Sequence, residues 1–80
     1  MTEWTKKIRF KSQIVDFAKW YLKNVKRPAT ARDMADYITD HNLFTGFSEK
    51  DPARRVGGIL GRHASDLERI RVNYDVWDFK

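Results

Sequence analysis

Apolar residues recur at the spacing of one helix face in two stretches of the first half of the chain. The first stretch follows Ser12, a residue type that caps helices, and runs to about Val25. The second follows Thr30, with Asp33 three residues later in the position of a capping box, and its last apolar position is Ile38. These patterns predict two helices, each with one apolar face that packs on a core.

A third helical stretch, residues 51–67, is the one around which the chain is organised. Asp51 can cap it, and Pro52 suits the first helical position, where its missing N–H is not needed. At the helical period one face of this stretch is apolar, with Gly57 and His63 at its edges. That apolar face consists of Ala53, Val56, Leu60, Ala64 and Leu67.

The opposite face of the third stretch combines arginines with glycines. A glycine inside a helix costs about 1 kcal/mol relative to alanine, so its presence needs a reason. One interpretation is a recognition helix, on which the glycines let a phosphate backbone or base edges approach and the arginines supply charge and forked donors. The other is a solvated face whose glycines serve tight helix packing, and this stretch alone leaves both open. The face consists of Arg54, Arg55, Gly58, Gly61, Arg62 and Ser65.

The remaining segments predict a hairpin and two pieces that pack on the helices. Residues 68–72 and 76–79 alternate in the manner of strands around a turn at 73–75, which predicts a terminal β-hairpin. Between the second and third helices we expect Leu43, Phe44 and Phe47 to fold back onto the core. Residues 1–11 are either a basic arm that touches phosphates or a segment pinned by Trp4 and Phe10. We favour the pinned segment, because large apolar side chains gain from burial.

Length and composition limit the class of protein to which this chain can belong. The chain has 80 residues and no cysteine, which predicts one domain and excludes disulfides, thiolate nucleophiles and cysteine-based zinc sites. The N-terminus has no long apolar run, and no segment approaches the ~20 apolar residues of a membrane span. We therefore expect a soluble, cytoplasmic or nucleoid-associated protein that does not engage a membrane.

The formal net charge of +5 is distributed unevenly along the chain. Residues 1–27 hold eight Lys/Arg against two acids, residues 28–51 hold two against five, and residues 52–80 hold six against four. Two basic ends therefore flank an acidic middle, and the basic excess favours a polyanionic partner. Asp33, Asp36 and Asp40 share one face of the second helix. We interpret them as a solvated face, with a protein contact as the alternative, because one exposed helix makes a poor metal chelate.

Motifs for enzyme chemistry are absent from the sequence. The only histidines are His41 and His63, and no HExxH motif or nucleophile motif is present. The GGILG segment lacks the Lys-Ser/Thr that follows a phosphate-binding loop, and it lies within a helical pattern. We expect neither an enzyme nor a cofactor or bound metal.

Five features of the chain together resemble a known domain family. They are the first-helix pattern AKWYLKN, the proline-led turn and second helix RPATARDMADYI, the segment HNLF, the capped third helix, and the closing hairpin VWDF. From Ile14 to Phe79 the chain resembles a winged helix-turn-helix domain, in particular the small HARE-type modules and, more distantly, the N-terminal domain of the bacterial RNA polymerase delta subunit. The resemblance implies a mainly α fold of three helices with a small β-hairpin. Residues 12–80 would form this single domain, preceded by a basic N-terminal segment at 1–11.

The resemblance also implies which residues contact a ligand. In winged helix-turn-helix domains the third helix enters the DNA major groove, and the hairpin, or wing, touches the adjacent backbone or minor groove. Here the helix contacts would be Arg54, Arg55, Arg62 and Ser65, with Gly58 and Gly61 between them. The wing contacts would be Arg69, Arg71 and the tip residues Asn73 and Tyr74.

These observations favour a small DNA-binding protein, either a transcriptional regulator or a phage-type accessory factor, that binds double-stranded DNA as a monomer or homodimer. The alternative is a winged-helix interaction module for a protein partner such as RNA polymerase or another nucleic-acid enzyme, since this fold does not settle function. The acidic face of the second helix supports that alternative. RNA binding through the same basic surface is a weaker third hypothesis.

Overall fold

The structure, a computed structural model, describes residues 3–44 and 51–80. Within these residues it contains three α-helices and one three-stranded antiparallel sheet with strand order β1-β3-β2. No helix in this described part has both the length and the apolar character that a membrane crossing requires. In chain order the elements are α1 (Lys11–Asn24), β1 (Ala29–Thr30), α2 (Ala31–Asp40), α3 (Pro52–His63), β2 (Leu67–Arg71) and β3 (Val76–Phe79).

The sheet contains one strand more than the predicted hairpin. Ala29 pairs with Trp77 and Thr30 with Val76, so β1 forms the second edge of the sheet. The sequence predicts only a break between helices here, because two residues are too few to show a strand pattern. Its pairing depends on the hairpin, which lies at the other end of the chain.

The start of α1 differs from the prediction. The helix begins at Lys11, and the exposed Ser12 does not cap it. Instead the Gln13 side chain turns back, and its Oε1 accepts hydrogen bonds from the backbone N–H groups of Arg9 at 2.7 Å and Phe10 at 2.8 Å. These donors have no partner within the helix, so a side-chain acceptor satisfies them.

The predicted capping box of α2 is confirmed. Thr30 Oγ1 accepts the backbone N–H of Asp33 at 2.9 Å, and Asp33 Oδ2 accepts that of Thr30 at 3.2 Å. Lys26 also reaches the same carboxylate at 3.2 Å. Partial burial raises the pKa of Asp33, but the hydrogen bonds from Thr30 and Lys26 outweigh it and hold the pKa below its ordinary value.

The third helix begins as predicted and ends earlier. Asp51 Oδ1 accepts the backbone N–H of Arg54 at 3.3 Å, and Pro52 is the first helical residue. The helix ends at His63, which is exposed rather than at the edge of a buried face. Leu67 was wrongly assigned to the helix, because it starts β2 and is buried from there. The buried positions within α3 are Val56, Gly57, Ile59 and Leu60, of which Ile59 was missing from the predicted apolar face.

Both predicted flanking segments reach the core. Ile8 is fully buried and donates its backbone N–H to the carbonyl of Leu43 at 2.7 Å. Trp4 packs its ring edge against Phe17, with the ring centroids 5.6 Å apart. The expected role of Phe10 is wrong, since that side chain is 64% exposed and Ile8 is buried in its place.

The fold-back predicted before α3 is confirmed where the structure describes it. Leu43 is buried and Phe44 packs against the core, whereas Phe47 lies outside the described residues. The largest fully buried side chains come from all three helices and the N-terminal segment: Ile8, Ile14, Phe17, Met34, Ile38, Val56 and Leu60.

We predict that Gln13→Ala lowers the free energy of unfolding by about 1 kcal/mol, the usual effect of losing a helix cap. Ser12→Ala is the matched control and should leave it unchanged, because Ser12 is exposed and does not cap the helix. Urea unfolding of both variants measures the difference. An equal loss in the two would contradict the assignment of the cap to Gln13.

We also predict that Asp33 makes folding stability depend on pH. Because the folded-state pKa lies below the ordinary aspartate value of 3.8, the stabilisation by this carboxylate is present above that value. It is lost as the pH falls through the lower folded-state pKa. Thermal unfolding of Asp33→Asn should therefore show less loss of stability in acid than the parent chain. A pH profile identical in slope would show that other carboxylates account for the acid sensitivity.

Candidate nucleic-acid interface

The outward face of α3 presents two arginines on either side of two glycines. Arg54, Gly61 and Arg62 are exposed, and Gly58 is half-buried. Arg54 and Arg62 are eight residues apart, which places their Cα atoms about 12 Å apart along the helix axis. The face is therefore a shallow strip with a long cationic side chain near each end.

The three glycines of α3 differ in the space that a Cβ atom would have. A Cβ on Gly57 would collide with the Asp75 carboxylate, so this position needs a glycine for the hairpin to approach. At Gly58 the nearest neighbouring atom in the described residues would be the flexible tip of Arg62, at 3.2 Å. At Gly61 it would be the tip of Arg69, at 3.7 Å. Tight internal packing thus explains Gly57 and does not explain Gly58 or Gly61.

Two residues assigned to this face by the sequence analysis lie elsewhere. Arg55 is half-buried, and its Nε atom is enclosed by the protein. Ser65 follows the end of α3 and lies in the turn before β2, so it is exposed but is not part of the helix face. Arg54 and Arg62 are therefore the two arginines that α3 presents outward.

The hairpin places its two arginines differently. Arg69 Nε forms an ion pair with Asp75 Oδ1, and the guanidinium lies 4.9 Å from the centroid of the Trp77 ring. Arg71 is exposed, as are the tip residues Asn73 and Tyr74. Arg69 therefore holds the hairpin in place, and the residues beyond it project outward.

Asp75 joins the hairpin to the two helices beside it. Its Oδ1 also accepts the Trp77 Nε1–H at 3.1 Å, and its backbone carbonyl accepts the N–H of Ala31, the first residue of α2, at 3.1 Å. Its Oδ2 lies against Gly57 of α3. The sequence pattern predicts only a turn at Asp75 and does not predict these side-chain contacts.

Ion pairs separate the basic residues of the described chain into two groups. Within residues 3–44 and 51–80, no carboxylate lies within 4 Å of the charged groups of Arg54, Arg62 or Arg71. The same is true of six lysines and arginines outside α3 and the hairpin strands: Lys6, Lys7, Arg9, Lys11, Lys23 and Lys80. Five other cations each have an acidic partner. These pairs are Lys19–Asp66 at 2.8 Å, Lys26–Asp33 at 3.2 Å, Arg27–Asp78 at 2.6 Å, Arg32–Asp36 at 3.6 Å, and Arg69–Asp75.

The Lys19–Asp66 pair, which lies near the end of α3, shows how an ion pair neutralises a cation. Its hydrogen bond raises the pKa of Lys19 and lowers that of Asp66. Both groups are thereby held charged, and their fields oppose each other locally. Lys80 lies beside the turn that contains Asp66, because its backbone N–H donates a hydrogen bond to the Asp66 carbonyl at 3.1 Å. Lys80 and Arg62 line a small cavity of about 230 Å³ there, so the basic face extends to a residue that the sequence analysis did not include.

The acidic residues of α2 do not form one open face. Asp33 belongs to the capping box, Asp36 pairs with Arg32, and Asp40 is exposed near the end of the helix. In the described part of the chain, no group of three or more Asp, Glu or His side chains is placed to hold a metal ion.

Comparison with protein-family models, with curated proteins and with solved structures finds no significant match to this chain. The ligand of the basic face is therefore inferred from the residues that form it.

We predict opposite effects of adding a methyl group at two glycines of α3. Gly57→Ala should lower the free energy of unfolding by about 1–3 kcal/mol, because Arg69 and Trp77 hold the Asp75 carboxylate in the space that the methyl group needs. Gly61→Ala should raise it by about 0.5–1 kcal/mol, the usual gain within a helix.

Chemical denaturation of the two variants gives the sign of each effect. In an Asp75→Ala background the penalty of Gly57→Ala should shrink, because the obstructing carboxylate is gone. An undiminished penalty in that background would show that something other than Asp75 requires the glycine.

Proposed function

We propose that this chain is a small winged-helix protein that binds double-stranded DNA through α3 and the hairpin, as a transcriptional regulator or phage-type accessory factor. The observation that carries the proposal is the placement of unpaired arginines on two adjoining elements. Arg54 and Arg62 of α3 and Arg71 of the hairpin are exposed and have no acidic partner among the described residues. A surface that keeps its cations unpaired suits a polyanion.

The dimensions of α3 suit the DNA major groove. A helix with its side chains is about 10–12 Å across, which is comparable with the groove width of about 12 Å. Arg54 and Arg62 lie about 12 Å apart along the axis of this helix. Both side chains would then reach phosphates or guanine edges when the helix lies in the groove. Gly58 and Gly61 carry no side chains of their own. Arg62, whose Nε donates to the Gly58 carbonyl at 3.2 Å, would turn from this strip to the DNA and let the helix backbone approach closely.

The hairpin would add contacts at a fixed distance from the helix. The contacts of Asp75 with Arg69, Trp77 and α2 hold the hairpin against α3, so Arg71 projects from a supported base. Arg69 acts in this scheme as a positioning residue, because its guanidinium is engaged with Asp75 and Trp77. Arg71 and the tip would meet the backbone beside the groove that α3 occupies.

A protein partner is the second candidate, and the exposed acids of α2 favour it. Asp40 is exposed and Asp36 lies beside a cleft of about 250 Å³ between α2 and the start of α3. A basic protein, such as a subunit of RNA polymerase or another nucleic-acid enzyme, would complement these carboxylates. If no duplex binds even at low salt, Asp36→Asn/Asp40→Asn becomes the variant with which to examine such a partner.

We predict salt-sensitive binding of a labelled random-sequence duplex, measured by fluorescence anisotropy at several salt concentrations. Each phosphate contact contributes a slope of about −0.9 to the logarithmic salt dependence, so Arg54→Ala/Arg62→Ala should reduce the slope by about 1.8 and weaken binding. Lys11→Ala/Lys23→Ala is the matched control, since it removes the same charge from two exposed lysines of α1 that have no acidic partner among the described residues. Equal losses in the two double variants would show that total charge, rather than the α3 face, determines binding.

A further inference from the structure

Exposed apolar side chains are concentrated at the end of the hairpin. Five large apolar residues of the described chain are exposed, and three of them lie between positions 70 and 74. The exposed fractions are 44% for Ile70, 81% for Val72 and 79% for Tyr74. Their burial would stabilise a complex, whereas their exposure does nothing for the isolated fold.

The backbone at the tip is unfavourable for the residue that occupies it. Tyr74 has a φ of 70°, in the left-handed region that bulky side chains avoid. Its neighbour Asp75 also has a positive φ, of 53°, but aspartate tolerates this region and its side chain is used internally. No hydrogen bond, ion pair or ring contact within the described residues involves the Tyr74 side chain. The isolated fold therefore offers no reason for a tyrosine at this position.

Backbone hydrogen bonds fix the turn at the hairpin tip, and arginines lie near it. The Asp75 N–H bonds the Val72 carbonyl at 3.2 Å and so closes the turn, while the Asp75 carbonyl ties the turn to the start of α2. Tyr74 and Arg54 both line an open groove of about 560 Å³ between the turn and the starts of α2 and α3, which Arg32 and the carboxylates of Asp51 and Asp75 also line. Arg71, the residue before Val72, is exposed. An apolar projection with the unpaired Arg54 and Arg71 near it complements an anionic surface with apolar layers inside it, which describes a stacked duplex.

We propose that Val72 and Tyr74 form an apolar wedge that enters the minor groove and partly separates two stacked base pairs. The proposal rests on the proposed function, because α3 must first hold the duplex. Apolar side chains inserted in this way kink DNA, and the cost is lowest at flexible pyrimidine–purine steps. The wedge would therefore give the chain a preference for duplexes with a deformable TA step, without direct recognition of base edges at that step.

The test uses the complete chain and two short duplexes of equal composition, one with a central TA step and one without a pyrimidine–purine step near its centre. A 2-aminopurine beside the step reports unstacking through its increased emission. The parent chain should bind the TA duplex more tightly and raise its emission. Tyr74→Gly should abolish the rise and weaken binding to this duplex about tenfold, in line with the loss of an aromatic contact to a base.

Two further variants separate the wedge from folding and from general hydrophobicity. Tyr74→Gly should keep or raise the melting temperature, because glycine adopts the positive φ without strain, so weaker binding would not come from unfolding. Val72→Ser should weaken binding in the same direction. Val25→Ser is the matched control, since Val25 is an exposed valine in the turn after α1, and it should change neither emission nor affinity.

Three other results would overturn the wedge. If binding depends on Arg54 and Arg62 but Tyr74→Gly binds and unstacks like the parent chain, the wedge is wrong and the proposed function stands. If the parent chain binds neither duplex at low salt, the proposed function and the wedge both fail. If the chain instead binds phosphatidylcholine–phosphatidylserine vesicles in a Tyr74-dependent manner and binds no duplex, the tip contacts lipid and the wedge is again wrong.

Discussion

The carboxylate of Asp75 is the interaction on which the arrangement of helices and hairpin depends. One oxygen accepts from Arg69 and Trp77, the other lies against Gly57, and the backbone carbonyl bonds the start of α2. Each contact requires the others. Without a glycine at position 57 the hairpin would have to move away from α3, and without Arg69 the carboxylate would lie against the helix with less compensation for its partial desolvation.

This arrangement separates arginines that hold the fold from arginines that are available to a ligand. Arg69 lies on the same hairpin as Arg71, yet its guanidinium is used by Asp75 and Trp77. Arg55 is adjacent in sequence to Arg54, yet it is half-buried. Unpaired positive charge therefore lies on α3 and the hairpin, and also on the N-terminal segment and α1, where Lys6, Lys7, Arg9, Lys11 and Lys23 have no acidic partner among the described residues. Arg54, Arg62 and Arg71 form no ion pair with a described carboxylate, although Asp51 and Asp75 line the same groove as Arg54.

Local patterns predicted those features that depend on residues near each other in the chain. The caps at Thr30 and Asp51 follow from side chains three residues from their donors, and the alternation near the C-terminus predicted the hairpin. The strand β1 could not be found this way, because Ala29 acquires its partner Trp77 only in the folded chain. The same limit applies to the candidate site. Sequence spacing placed six residues on one helix face, but whether an arginine is paired or enclosed depends on carboxylates and packing that come from distant segments.

Several residues depart from the backbone preferences for helix interiors or for positive φ, and they fall into two groups. The grouping indicates where a ligand would act. Gly57 and Asp75 break the rules for helix interiors and for positive φ, and their mutual contact accounts for both. Gly58, Gly61 and Tyr74 break the same rules. A methyl group at either glycine would meet only the tip of an arginine, and the Tyr74 side chain has no hydrogen bond, ion pair or ring contact among the described residues. Natural sequences depart from local preference mainly where function requires it. These positions lie on α3 and at the hairpin tip, the two elements that also carry the unpaired Arg54, Arg62 and Arg71, so backbone preference and charge are both consistent with a ligand at these elements.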